Sequence, residues 1–126
     1  MRTWALLLGF LLTLLASASE PSRRLDDLKV LYIGERDSAR ATHFQGFLKE
    51  NVGKVEFADR KKFKPSEAED FDVVLLDWPQ SESTQDEWKS GRSPLGDRDT
   101  WNKPTVLLGS AGLNLAVVWK VRGGSG

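Results

Sequence analysis

Phe71-Asp72-Val73-Val74-Leu75-Leu76-Asp77 is the stretch of sequence that decides the fold. Four consecutive apolar residues, two of them β-branched, lie between aspartates, and this composition indicates a strand buried on both faces. Strands of this kind occupy the centre of parallel sheets. Asp77 comes at the carboxyl end of the strand, which is the edge of an open α/β sheet where ligands bind. The stretch therefore predicts both a fold class and the position of a site.

The first 18 residues have the pattern of a secretory signal peptide. Arg2 gives a positive start, an apolar segment follows over residues 5–15, and Ala16-Ser17-Ala18 offers the small residues that signal peptidase reads. The apolar run is shorter than the roughly 20 residues of a spanning helix, so cleavage after Ala18 is favoured over an uncleaved membrane anchor. We therefore predict a secreted or periplasmic protein, with one α/β domain over residues 19–126 and no membrane association after signal removal.

Charge and cysteine content exclude several classes of function. The chain has 18 basic and 18 acidic side chains, and removing residues 1–18 takes away Arg2 alone, which leaves 17 basic against 18 acidic. This balance gives no electrostatic reason to expect a nucleic acid partner. The sequence contains no cysteine, which excludes disulfides, zinc–thiolate sites and cysteine nucleophiles. Neither a cofactor nor an oligomeric state follows from the composition.

The rest of the chain alternates between strand and helix patterns. In order, the predicted elements are a strand at 29–33, a helix at 39–51 with Ser38 as its N-cap and Gly53 as its C-cap, an edge strand at 54–58, a helical turn near 65–69, the central strand at 71–77, a long inserted loop at 78–103 and a strand at 104–108. Residues 110–121 have strand composition but helical spacing, and we favour a helix with Ser110 as its N-cap. Such alternation predicts a three-layer α/β sandwich with a parallel sheet and strand order 2-1-3-4.

Two segments between these elements have alternative interpretations. The basic cluster at 60–64 is followed at once by acidic residues, so a self-neutralising solvated loop is favoured over an anion site. The long loop at 78–103 carries Trp78, Trp88 and Trp101, which argue against disorder. These rings can form either the small core of the loop or a platform for a sugar, and a loop of this length can also act as a lid.

Three loops should meet at the carboxyl ends of the first, third and fourth strands. They bring a set of candidate ligand-binding residues to one crevice: Glu35, Asp37, His43, Asp77, Trp78 and Ser110. Carboxylates beside a single imidazole suit a divalent metal or a polar ligand, but no motif assigns a metal ligand or a catalytic residue. Simpler roles remain open, namely a surface position for the histidine, a loop cap for Asp77 and a helix cap for Ser110.

The order of short motifs resembles that of ThuA-like domains, which belong to the class I glutamine amidotransferase-like group. The segments that carry the resemblance are Lys29 to Gly34, His43-Phe44, Phe71 to Leu75 and Leu108-Gly109-Ser110-Ala111, within about residues 28–124. It implies a flavodoxin-like sheet, incomplete because the family's domain is longer, and a carbohydrate-related small-molecule ligand. No histidine precedes Ser110 and no cysteine nucleophile is present, so the resemblance does not imply amidotransferase catalysis.

Two other functions remain open from the sequence. Asp77 at the end of the third strand and Ser110 after the fourth resemble the phospho-acceptor and hydroxyl partner of a receiver domain. Export weighs against this alternative, because it separates the protein from ATP-dependent phosphorelays. The other alternative is a non-catalytic secreted interaction module. Whether the protein is an enzyme is not decided by the sequence.

Overall fold

The computed structural model of the protein describes residues 24–121, apart from the side chain of Ser83, so the predicted signal peptide lies outside the described residues. The elements are β1 (Lys29–Gly34), α1 (Ala39–Asn51), β2 (Lys54–Asp59), β3 (Val73–Asp77), α2 (Gln85–Lys89), β4 (Thr105–Leu108) and α3 (Ala111–Val118), with 3₁₀ turns at Leu25–Asp27, Pro65–Ala68 and Glu82–Thr84. The strand order is β2-β1-β3-β4 and every pair is parallel. The predicted α/β fold with sheet order 2-1-3-4 is confirmed, as an incomplete flavodoxin-like sandwich. Within residues 24–121, no helix has the length and apolar character needed to cross a membrane.

Helices pack on opposite faces of the sheet. One face presents the alternate residues of β1 and β3, and these form the core with α3: Leu31, Ile33, Val74, Leu76, Ala111 and Leu115. On the other face Tyr32 stacks against Phe44 of α1, with ring centroids 5.8 Å apart. Because side chains alternate across a strand, these two contacts place α1 and α3 on opposite sides. The result is the three-layer arrangement that the alternating pattern predicts.

The central strand β3 is fully buried on one face only. Val74 and Leu76 are 0% exposed, whereas Val73 and Leu75 on the opposite face are half-buried. The expectation of burial on both faces is therefore wrong for this strand. The reason is that α1 packs over β1 and β2, and within residues 24–121 no second helix covers the same face over β3 and β4.

Helix α1 begins where the sequence predicts but differs in its buried face and its end. Ser38 is the N-cap, and its hydroxyl accepts from the Ala41 amide at 3.0 Å. Phe47 follows Phe44 by three residues, a spacing that predicts a shared apolar face, but Phe47 is 58% exposed. The predicted Gly53 cap is also wrong, since Val52 ends the helix in extended conformation. Gly53 is needed because a Cβ there would lie 1.6 Å from the Asp26 carbonyl oxygen.

The long connection between β3 and β4 packs onto the core. Trp78 and Thr84 are 0% exposed and Leu95 is 1% exposed. The half-buried rings of Trp88 and Trp101 lie against the same cluster. This packing agrees with the interpretation of the tryptophans as the small core of the loop. Trp78 has no exposed ring face on which a sugar could stack.

Candidate functional site

Asp77 lies at the carboxyl end of β3, as predicted, but its carboxylate is already bound by protein groups. Its side chain is 4% exposed. Tyr32 Oη donates to Oδ2 at 2.6 Å, and Arg40 Nε donates to Oδ1 at 2.9 Å and to Oδ2 at 2.7 Å. Because both oxygens accept hydrogen bonds from side chains of β1 and α1, the carboxylate links α1 to the two central strands.

Tyr32 is held in its neutral form by this arrangement. Burial raises the pKa of the phenol well above its usual range, and the hydrogen bond to Asp77 and the negative charge of that carboxylate raise it further. The positive charges of Arg40 and Arg60 oppose the shift without cancelling it. The phenol therefore remains a donor to Asp77 at pH values where an exposed tyrosine loses its proton.

This environment predicts a specific alkaline titration. Because Tyr32 is the only tyrosine in the chain, phenolate absorbance near 295 nm reports this residue alone. The folded pKa lies above the unfolded value of about 10, so the stabilising contribution is complete below that pH and is lost as the pH rises above it. We expect no phenolate signal from folded protein at about pH 11, and an immediate signal when denaturant is added.

A tyrosine that titrates near pH 10 in the folded protein would contradict the buried hydrogen bond. The matched variant is Tyr32→Phe, which keeps the ring and removes the hydroxyl. Its stability should decline less steeply above pH 10 than that of the wild type, whose slope approaches about 1.4 kcal/mol per pH unit.

Arg60 forms a second buried ion pair at the same edge of the sheet. The residue is 3% exposed. Its Nε and Nη2 donate to the two Glu87 carboxylate oxygens at 2.7 and 2.9 Å, and its Nη1 donates to the Asp77 carbonyl oxygen at 2.9 Å. The guanidinium therefore connects α2, which belongs to the long connection, to the ends of β2 and β3. The interpretation of residues 60–64 as a solvated loop is wrong for Arg60 and Phe63, which are buried, and correct for Lys61, Lys62 and Lys64.

Trp78 and Ser110, which were also predicted at the site, make hydrogen bonds that connect elements of the fold. The Trp78 carbonyl oxygen accepts from Asn114 Nδ2 at 2.9 Å, which joins β3 to α3. Ser110 precedes α3, but its side chain makes no cap hydrogen bond, so the predicted hydroxyl cap is wrong. Its contribution is the main-chain carbonyl oxygen, which accepts from the Asn114 amide at 3.1 Å.

A cavity of about 230 Å³ lies between the carboxyl ends of β1 and β2 and the first turns of α1. The residues that line it are Tyr32, Gly34, Glu35, Arg36, Asp37, Ala41, Thr42, Gln45, Phe57, Ala58 and Asp59. The lining includes three acidic residues, Glu35, Asp37 and Asp59, and one basic residue, Arg36, so its formal charge is negative. Asp37 has a φ of +63°, a conformation that aspartate and asparagine adopt more readily than most residues.

Two of the six predicted site residues, Glu35 and Asp37, therefore line one cavity. His43 is exposed on α1 and does not line it, and neither do Asp77, Trp78 or Ser110. Four further residues that line the cavity were not predicted from the sequence: Thr42, Gln45, Phe57 and Asp59. Phe57 and Asp59 could have been predicted, because the expected pairing of the first and second strands brings the end of β2 beside the loop after β1.

Across residues 24–121, no group of three or more histidine, aspartate or glutamate side chains is arranged to hold a metal. The chain is not similar to any family model, curated protein or solved structure with which we compared it. The resemblance to ThuA-like domains consequently depends on the short sequence motifs alone.

Proposed function

We propose that the protein is a binding domain that holds a single sugar or amino sugar in the cavity between β1, β2 and α1. The observation that carries this proposal is the acidic lining of the cavity, which includes Glu35, Asp37 and Asp59. One Asp59 oxygen already accepts from the Lys61 amide at 3.0 Å, which leaves Glu35 and Asp37 as the principal acceptors. Ionised carboxylates are strong acceptors for hydroxyl and ammonium groups. The volume, about 230 Å³, is below the roughly 300–1,000 Å³ of sites for drug-sized ligands, so a one-ring molecule is the appropriate size.

The other lining residues support the same class of ligand. Thr42 and Gln45 project from α1 and can both donate and accept hydrogen bonds, as sugar hydroxyls require. Phe57 adds an apolar wall against which the C–H groups of a ring can pack. A carbohydrate-related ligand is also what the resemblance to ThuA-like domains implies, and export, which stays a prediction, would place the protein among extracellular or periplasmic sugars.

Binding without catalysis is the simpler proposal for this cavity. Asp77, the predicted site residue with a carboxylate at the end of β3, has both oxygens engaged by Tyr32 and Arg40. The single imidazole of His43 lies outside the lining. The same engagement of Asp77 gives no support to a receiver-like function, which needs a free carboxylate.

Titration calorimetry with three related sugars tests the proposal. We expect glucosamine to bind more tightly than glucose, and glucuronate to bind most weakly, because the lining carries more negative than positive charge. Glu35→Gln and Asp37→Asn keep the shape of each side chain and remove its charge. Each should weaken glucosamine binding by about tenfold or more, which corresponds to loss of one charged hydrogen bond.

The matched control is His43→Ala, an exposed position of α1 outside the cavity, which should bind as the wild type does. Absence of binding by all three sugars would contradict the proposal. Binding that is unchanged in both carboxylate variants would place the ligand elsewhere.

A second function, an interaction module, has a separate observation in its favour. Four of the large apolar side chains that are exposed belong to β4 and α3, namely Val106, Leu107, Leu113 and Val117. None of them lines the cavity, so the two functions are compatible.

A further inference from the structure

A second cavity, of about 340 Å³, lies between the turn after β2, the residue that follows β3 and the loop after α2. Its lining includes three basic residues, Arg60, Lys61 and Arg92, and one acidic residue, Glu87, so its formal charge is positive. It is named the basic cavity. Its lining shares no residue with the cavity of the proposed sugar site, whose formal charge is negative. The basic cavity therefore suits a different class of ligand, an anion.

Arg60 gives the basic cavity a fixed guanidinium that still has free donors. Its hydrogen bonds to the Glu87 carboxylate and to the Asp77 carbonyl oxygen use Nε and one N–H of each terminal nitrogen. A guanidinium has five N–H donors, so one remains on each terminal nitrogen. Because Glu87 and Asp77 already hold the side chain, little of its conformational entropy is left to lose when a ligand binds.

Trp78 adds a buried donor that has no acceptor among residues 24–121. The residue is 0% exposed and lines the basic cavity, and its indole Nε1 makes no hydrogen bond. A buried donor without an acceptor costs free energy, and an oxygen atom of a ligand would recover that cost. This donor distinguishes the basic cavity from an ordinary cluster of surface cations.

The loop after α2 is held in place and carries one of two exposed cations. Leu95 is 1% exposed in the core, and the Gly96 carbonyl oxygen accepts from Trp119 Nε1 at 2.9 Å. Arg92 extends from this loop, and Lys61 extends from the turn after β2. Both side chains are long and exposed, so they can change rotamer to admit an anion and then contact it.

We propose that the basic cavity binds a tetrahedral oxyanion, carried as the phosphate or sulfate ester of a small organic molecule. Such an ester has three acceptor oxygens for the donors of Arg60, Trp78, Lys61 and Arg92, whereas a carboxylate has two. The volume lies within the range of about 300–1,000 Å³ that is usual for small-molecule sites, so the cavity also has room for the organic part. This inference does not depend on the sugar site.

Titration calorimetry at low ionic strength tests the proposal with phenyl phosphate, phenyl sulfate, benzoate and inorganic phosphate. The first three share one ring and differ in the anionic group, and none is a sugar. We expect the tighter of the two esters to bind at least about tenfold more tightly than benzoate, and its identity shows which oxyanion is preferred. Arg92→Gln and Lys61→Met should each weaken ester binding by about tenfold, the loss of one charged hydrogen bond.

The matched control is Arg98→Gln, which removes the same charge from an exposed arginine of the same connection, outside the lining. It should bind the ester as the wild type does. Because Lys61, Arg92 and Arg98 are all exposed, each variant is expected to fold. In a ¹H–¹⁵N spectrum of the wild type, the Trp78 Nε1–H resonance should move downfield as the ester is added, because the proton gains an acceptor.

The proposal is overturned if neither ester binds, if benzoate binds as tightly as the esters, or if Arg98→Gln weakens binding as much as Arg92→Gln. Binding that is unchanged in both Arg92→Gln and Lys61→Met, or a Trp78 resonance that does not move, would place the anion outside the basic cavity. Inorganic phosphate that binds as tightly as phenyl phosphate would contradict an ester as the ligand.

Discussion

Leu76→Asp should leave the protein unable to fold. Leu76 is 0% exposed on β3, and its neighbours across the sheet are Ile33 and Leu107. An aspartate there buries a carboxylate with no partner, which costs several kcal/mol, a large part of the roughly 5–15 kcal/mol that stabilises a typical domain. Far-UV circular dichroism and urea unfolding measure the effect.

Leu75→Asp is the matched control for this substitution. Leu75 is the preceding residue of the same strand, but it is half-buried on the face that α1 leaves uncovered over β3 and β4. Because water reaches that side chain, the variant should remain folded and lose less stability than Leu76→Asp. A cooperative melting transition at the wild-type temperature for Leu76→Asp would contradict the observed core. Equal loss in both variants would mean that the two faces of β3 are equally covered.

Arg60→Met should cost about 3–5 kcal/mol, the usual loss when one partner of a buried ion pair is removed. The substitution keeps the apolar length of the side chain and leaves the Glu87 carboxylate and the Asp77 carbonyl oxygen without their donors. Since the Glu87 side chain is 21% exposed, water compensates part of the charge, and we expect a value at the lower end of this range. Urea unfolding of the variant and the wild type gives the difference.

Two further variants separate this ion pair from ordinary surface charge. The double variant Arg60→Met/Glu87→Met should recover much of the lost stability, because the stranded carboxylate is removed as well. Lys61→Met should change stability by less than about 1 kcal/mol, since Lys61 Nζ is 3.9 Å from Glu87 and its side chain is 53% exposed. If Arg60→Met were as mild as Lys61→Met, the long connection would not depend on this contact.

The sheet and α1 could be predicted because their signals are local. Continuous apolar runs at β1 and β3, and Ser38 before a helical spacing, give the order of the strands and the bounds of α1 without knowledge of distant contacts. Predictions of burial were wrong where coverage by other elements decides which side chains are buried. Phe47 has the correct spacing for a buried face but is mostly exposed, and Leu75 is apolar although no described helix covers it.

The site was only partly predictable for a related reason. Glu35 and Asp37 follow β1 directly, so the strand-end rule located them. Asp77 was located equally well, but its partner Arg40 lies 37 residues away, and nothing local indicates that this guanidinium occupies the carboxylate. Arg60 is the stronger example, because its neighbours in sequence are exposed lysines and only the tertiary contact with Glu87, 27 residues away, explains its burial.

The parallel arrangement of the sheet also determines the order in which the chain can fold. Every strand pair in the described sheet joins segments that are separated by a helix or a long connection, so none can begin as a local hairpin. Such topologies fold slowly, because the chain loses the entropy of loop closure before the non-local contacts that offset this loss have formed. β4 contacts only β3 in the sheet and follows the connection at residues 78–104, which makes it the last strand expected to dock. Until it does, the outer edge of β3 is open, and refolding at high concentration should favour aggregates over native protein.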